Sequence, residues 1–135
     1  MSHSYLLKLF VAIAIKESNL DYTAIGDDGK AFGIVQIHEC VITDVNKRYS
    51  MNVNHNDVFN PVITWNVFIK YQKQYGCKSF EDGARLWNGG PSRKYTDKYW
   101  EDVKTISFDR ERMANGYKRF GNLCRRFGGS KVWPD

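Results

Sequence analysis

Leu6, Phe10, Ile13 and Glu17 follow one another at spacings of four, three and four, one stripe of an α-helix, so the Glu17 carboxylate prolongs an apolar face. Taking a carboxylate partly out of water disfavours its charged form and raises its pKa above the reference of about 4.3. A carboxyl still protonated near neutral pH can donate a proton, which is the requirement of general-acid catalysis. The ordinary alternatives are a residue half exposed in the last turn of a helix, or one paired with Lys16, Lys8 or a distant arginine.

Glu17 needs elements that hold it. A helix over about 4–18, with Ser4 as its cap and Asn19 as its end, carries the residue. The pair Asp28-Gly29 lies between Thr23-Ala24-Ile25 and Lys30-Ala31-Phe32, a hairpin signal, and a glycine-led strand from Gly33 to Gln36 follows. A second helix is expected over about 37–49, then a loop over 52–57. Asn60-Pro61 reads as cap and first residue of a third helix, with Gly76 in the left-handed position after it and Trp65 and Phe68 on its core face. Ser79 caps a short helix, with Asp82 completing a weak capping box, and Asn88-Gly89-Gly90-Pro91 breaks that helix. Thr96 caps another piece, with Tyr95, Tyr99 and Val103 at i, i+4 and i+8. A basic helix over 109–120 and a loosely ordered tail from Gly121 close the chain. Helical periodicity dominates, so the class is mainly α (α+β) with one small β-hairpin beside the site.

A chain of 135 residues is most simply one domain, here with a core of about 4–106 and a basic extension of about 107–135. The whole net charge of +5 belongs to the part from Lys104 onward. Such a region suits an anionic polymer or a solvated face. No zinc-finger spacing or RNP-like motif accompanies it, so nucleic acid is not the expected partner. Cys40, Cys77 and Cys124 form no CxxC pair and share no metal-ligand spacing with His3, His38 or His55. They read as buried or idle thiols with room for one disulfide at most, and neither metal nor cofactor is expected. The apolar run 5–15 superficially resembles the core of a signal peptide but lacks a basic cluster before it and a cleavage site after it. It reads as the first helix, too short to span a membrane, so export would need another route or a leader outside this sequence.

Four pieces stand in order: Glu17-Ser18-Asn19, the run from Gly26 to Gln36, Leu86-Trp87-Asn88-Gly89-Gly90, and Tyr99-Trp100-Glu101-Asp102-Val103. Together they resemble the goose-type lysozymes and soluble lytic transglycosylases of the lysozyme-like superfamily, over roughly residues 6–103. No single piece is specific; the order and spacing of the four carry the resemblance. It implies a lysozyme-like catalytic domain acting as a monomer on the β-1,4 bond between N-acetylmuramic acid and N-acetylglucosamine in peptidoglycan. Glu17 matches the general acid. Gly33 and Gln36 match the strand lining the sugar groove, with Gln36 bonding the glycan. Trp87, where the family usually has tyrosine, stands beside Asn88, and Tyr99 matches a later tyrosine; one of the two aromatics is expected to face the glycan. Val35 replaces the usual methionine, and His38 stands where some goose-type lysozymes carry a second acid.

Asp27 matches another acid of the goose-type turn, and its ordinary role is turn chemistry. Two products follow from the resemblance. An acid such as Asp27 holding water would give hydrolysis with inversion, whereas attack by the sugar's own 6-hydroxyl would give a 1,6-anhydro end; the acidic turn tilts the reading slightly toward hydrolysis. Chitin cleavage at the same site and a non-catalytic module gripping glycan or anionic wall polymer are the other readings. The expected location is the cell wall or periplasm, or delivery by a phage.

Overall fold

A computed structural model of the chain describes residues 3–128. The first helix, α1 (His3–Ser18), runs through the middle of the molecule. Leu6, Leu7 and every residue from Leu9 to Ile15 are buried, so the helix is covered on all sides and not along one stripe only. Its covers are α3 (Pro61–Gln74), α4 (Phe80–Gly89), α5 (Asp97–Phe108) and α6 (Arg110–Arg126). Phe10 is the aromatic centre, edge-on to Trp65 and Phe68 and tilted against Phe120, with ring centroids 4.9–5.1 Å apart. No helix among the described residues is long and apolar enough to cross a membrane.

The helix starts at His3, so Ser4 lies inside it and is not its cap. At the other end Asn19 takes φ +52 and Leu20 φ +61, which ends the helix at the expected place. The hairpin is a three-stranded antiparallel sheet: β1 (Ile25–Gly26), β2 (Ala31–Phe32) and β3 (Ile37–His38). Residues 33–36 are therefore a turn between β2 and β3 and not a strand, because Gly33 (φ +84) and Gln36 (φ +57) are both left-handed and Gln36 N–H closes onto Gly33 O. The ladder pairs Gly26 with Ala31 and Ala31 with His38, one rung across the sheet. Ile37 and His38 pair in the sheet, so the next helix, α2 (Glu39–Tyr49), begins two residues later than its apolar pattern suggests.

Residues 55–59, which begin inside the expected loop and run two residues past it, form a 3-10 turn, tied at its start by Asn54 N–H bonding the Asp57 carboxylate. Asn60 and Ser79 cap α3 and α4 as expected, and Gly76 is left-handed (φ +64). The capping box at Ser79 is incomplete, because the Asp82 carboxylate pairs with Arg93 instead. Thr96 precedes α5 without capping it: its hydroxyl donates to Arg93 O and accepts from Arg85. Tyr95 falls outside α5 with φ +60 and is fully exposed, so only Tyr99 and Val103 of that stripe reach the core.

Of the tail expected from Gly121, the part as far as Arg126 continues α6, and 129–135 lie outside the described residues. Phe120, Gly121 and Cys124 are buried there, and an apolar side chain so placed holds the backbone helical. Cys40 is exposed, Cys77 and Cys124 are buried, and all three are free thiols.

Candidate active site

Glu17 is half-buried in the last turn of α1. Burial raises the pKa of its carboxyl, against the opposing effects of a hydrogen bond from Tyr99 and the charge of Lys16. Tyr99 projects from α5, and its hydroxyl donates to Glu17 Oε2 at 2.9 Å. That phenol is itself held well above its ordinary pKa by burial and by the neighbouring Glu17 charge, so it stays a donor. Lys16 is bonded to Asp102 of α5 at 2.9 Å, and Lys8 lies over the Phe80 ring. Among the described residues no lysine or arginine lies within ion-pair distance of Glu17, and both nearby lysines are engaged elsewhere, so the salt-bridge explanation fails.

The side chain opens onto a cleft of about 310 Å³ lined by Glu17, Asp27, Ala31, Gln36, His38, Trp87 and Asn88. Six of the eight residues singled out in the sequence meet there. Each comes from a different local device. The turn after β1 carries Asp27, left-handed at φ +50, and the sheet register sets His38 one rung away, with Nε2 at 3.2 Å from Asp27 Oδ2. Ala31, on that same rung, offers only a methyl group between them. From the opposite side α4 presents Trp87 and the exposed Asn88. The Trp87 indole N–H donates to Val35 O at 2.9 Å, and its ring packs on Phe68 and Tyr71. One edge of the indole is fixed while the residue still borders the cleft.

Two predicted site residues lie elsewhere. Gly33 is buried beneath the turn, where a Cβ would sit 2.6 Å from Val58 O, so its contribution is a close backbone approach and not contact with a ligand. Tyr99 is buried behind Glu17 and reaches the cleft only through that carboxyl. Gln36 borders the cleft, yet its amide donates to Gly33 O at 3.0 Å and Ala24 O at 3.3 Å. Those donors hold the turn together, which narrows the expected glycan contact to the oxygen of the carboxamide.

Sequence reasoning assigned no role to Ser18 or Gly26. Ser18 Oγ donates to Ile34 O at 2.8 Å and accepts from Asp21 N–H at 3.1 Å, clamping the end of α1 to the turn at 33–36. Gly26 lies against the Gln36 carboxamide oxygen, where any Cβ would collide. The Glu-Ser pairing and the glycine before Asp27 were visible signals, but their partners lie 16 and 10 residues away.

What this arrangement can do follows from its parts. A carboxyl reluctant to ionise, steadied by a phenol and facing an open trough, is equipped to give a proton to an oxygen lodged there. A family model described as the transglycosylase SLT domain matches residues 3–85. No curated protein and no solved structure matches the chain.

Proposed function

The chain belongs to the transglycosylase SLT domain family, and from that membership we propose that it cuts peptidoglycan strands at the β-1,4 bond after N-acetylmuramic acid, with Glu17 as the proton donor. The observation that carries the proposal is the Tyr99-bonded, half-buried Glu17 carboxyl on the cleft. With Oε2 accepting from the phenol, the other carboxyl oxygen is left to hold the proton. Glu17 protonates the bridging oxygen as the bond to the anomeric carbon breaks and positive charge builds on the sugar. The 6-hydroxyl of the same sugar then forms the new bond to that carbon, and its proton returns to the Glu17 carboxylate. The product is a 1,6-anhydro end, and the acid is regenerated.

This reverses the slight tilt toward hydrolysis that the acidic turn suggested. Asp27 does border the cleft, but its carboxylate is engaged by His38 on an exposed turn. Mass spectrometry of fragments released from sacculi separates the two products, the anhydro end being lighter by one water. Glu17→Gln should lower the rate by roughly 10²–10⁴-fold while the fold is kept, as expected for loss of a general acid. A glutamine variant that clears walls at the wild-type rate would exclude the mechanism. Parallel turnover on soluble chitin oligomers decides whether the muramic acid is required.

A further inference from the structure

A second groove, unused by the reaction above, runs between the end of α1 and one face of α6. Arg112, Asn115, Arg119, Asn122 and Arg126 recur at three- and four-residue spacings and so form one stripe along α6. This stripe lines two depressions, of about 50 and 430 Å³, which share Leu20 and Arg119 as common walls. Tyr22 and Asp21 close the larger one. The opposite wall is thus the segment that leaves α1 directly after Glu17.

Two of the guanidiniums, those of Arg119 and Arg126, are held in place by groups that leave their charge uncompensated. Arg119 donates to Asn19 O at 2.7 Å, and Arg126 lies over the Tyr22 ring at 5.5 Å from its centroid. Arg85 and Arg93 are each paired with carboxylates, whereas among the described residues none of the three stripe arginines has one within ion-pair distance. Asp21 borders the groove but accepts the Thr23 N–H and hydroxyl through its Oδ1.

We propose that this groove binds the acidic peptide that a peptidoglycan strand carries, so that α6 holds the substrate's side branch while Glu17 acts on its sugar chain. The proposal rests on the peptidoglycan reading above. Three features select a carboxylate-bearing peptide. Guanidinium forks match carboxylates in a bidentate manner. Asn115 and Asn122, set between the arginines, can both donate and accept, which is what peptide amides require. Leu20, Tyr22 and Leu123 add an apolar wall for small side chains, of no use to a phosphate polymer.

The test is a titration of the whole protein with a synthetic tetrapeptide carrying two free carboxylates, followed by backbone amide NMR. Saturable shifts over 19–22 and 115–122 are expected, with binding weakened roughly ten-fold or more in Arg112→Gln/Arg126→Gln. Arg119 is spared because it anchors Asn19. On intact sacculi the double variant should raise KM and leave kcat alone. On strands stripped of peptide by an amidase, neither constant should move. Absence of peptide binding to the wild type, an equal rise in KM on both strands, or shifts produced by polyphosphate but not by the peptide would overturn the proposal. Because the titration needs no turnover, binding without cleavage removes the activity and keeps the groove, and cleavage without binding does the reverse.

Discussion

At the scale of single residues, the proposed chemistry depends on how long Glu17 keeps its proton as pH rises. Burial lifts its pKa, and the Tyr99 hydroxyl pulls the other way by bonding the charged form. Removing the hydroxyl leaves burial less opposed. In Tyr99→Phe the alkaline limb of the kcat/KM profile should therefore move to higher pH, while the rate falls because the carboxyl is less well oriented; a full pH–rate series checks both. Asp27→Asn tests the other acid. With the sugar hydroxyl as nucleophile, the variant should lose less than the roughly 10²-fold that removal of a general base costs, and the product mass should stay the same. The stripe ending in Glu17 was legible from three apolar residues at helical spacing. Its partner was not, because Tyr99 is 82 residues distant and only the packing of α5 on α1 joins them.

At the scale of elements, the short sheet and its turns do the positioning. Asp28-Gly29 marked the hairpin correctly, since that pair tolerates left-handed backbone. Residues 33–36 misled because Gly33-Ile34-Val35 has strand composition. The left-handed φ of Gly33 and Gln36 and the amide bonds of Gln36 turn the chain before a ladder can form. Gly33 and Gly76 separate two costs that glycine conceals. At Gly76 (φ +64) a Cβ would meet open space, so Gly76→Ala carries only the left-handed penalty of about 1–2 kcal/mol. At Gly33 the same penalty is joined by collision with Val58 O, which already accepts the Thr64 hydroxyl. Gly33→Ala should therefore be the more destabilising in urea titrations. It should also lower activity, because the turn it distorts is clamped to Ser18, next to Glu17.

At the scale of the whole molecule, α6 is part of the core and not an appendage. The charge count drew attention to its exposed arginines, whereas the buried residues Met113, Gly116, Phe120 and Cys124 are spaced by three and four and carried the structural information. Gly116 and Gly121 broke the apolar pattern to the eye. At Gly116 the glycine admits Val11 and Ile15 of α1, and a Cβ would stand 2.7 Å from the Val11 methyl. Phe120→Ala should destabilise the protein by about 3–5 kcal/mol, the usual cost of emptying a fully buried aromatic site. Equilibrium denaturation measures it, and a loss under about 1 kcal/mol would mean that the end of α6 is not seated on Phe10.

The wrapping of α1 has a consequence for how the protein fails. Its amides are covered by four helices, so hydrogen exchange along it should require opening of the entire fold. Glu17 rides on the last turn of that helix. Inactivation by denaturant should then coincide with loss of ellipticity, and no partly melted form should retain the Glu17 carboxyl in its place.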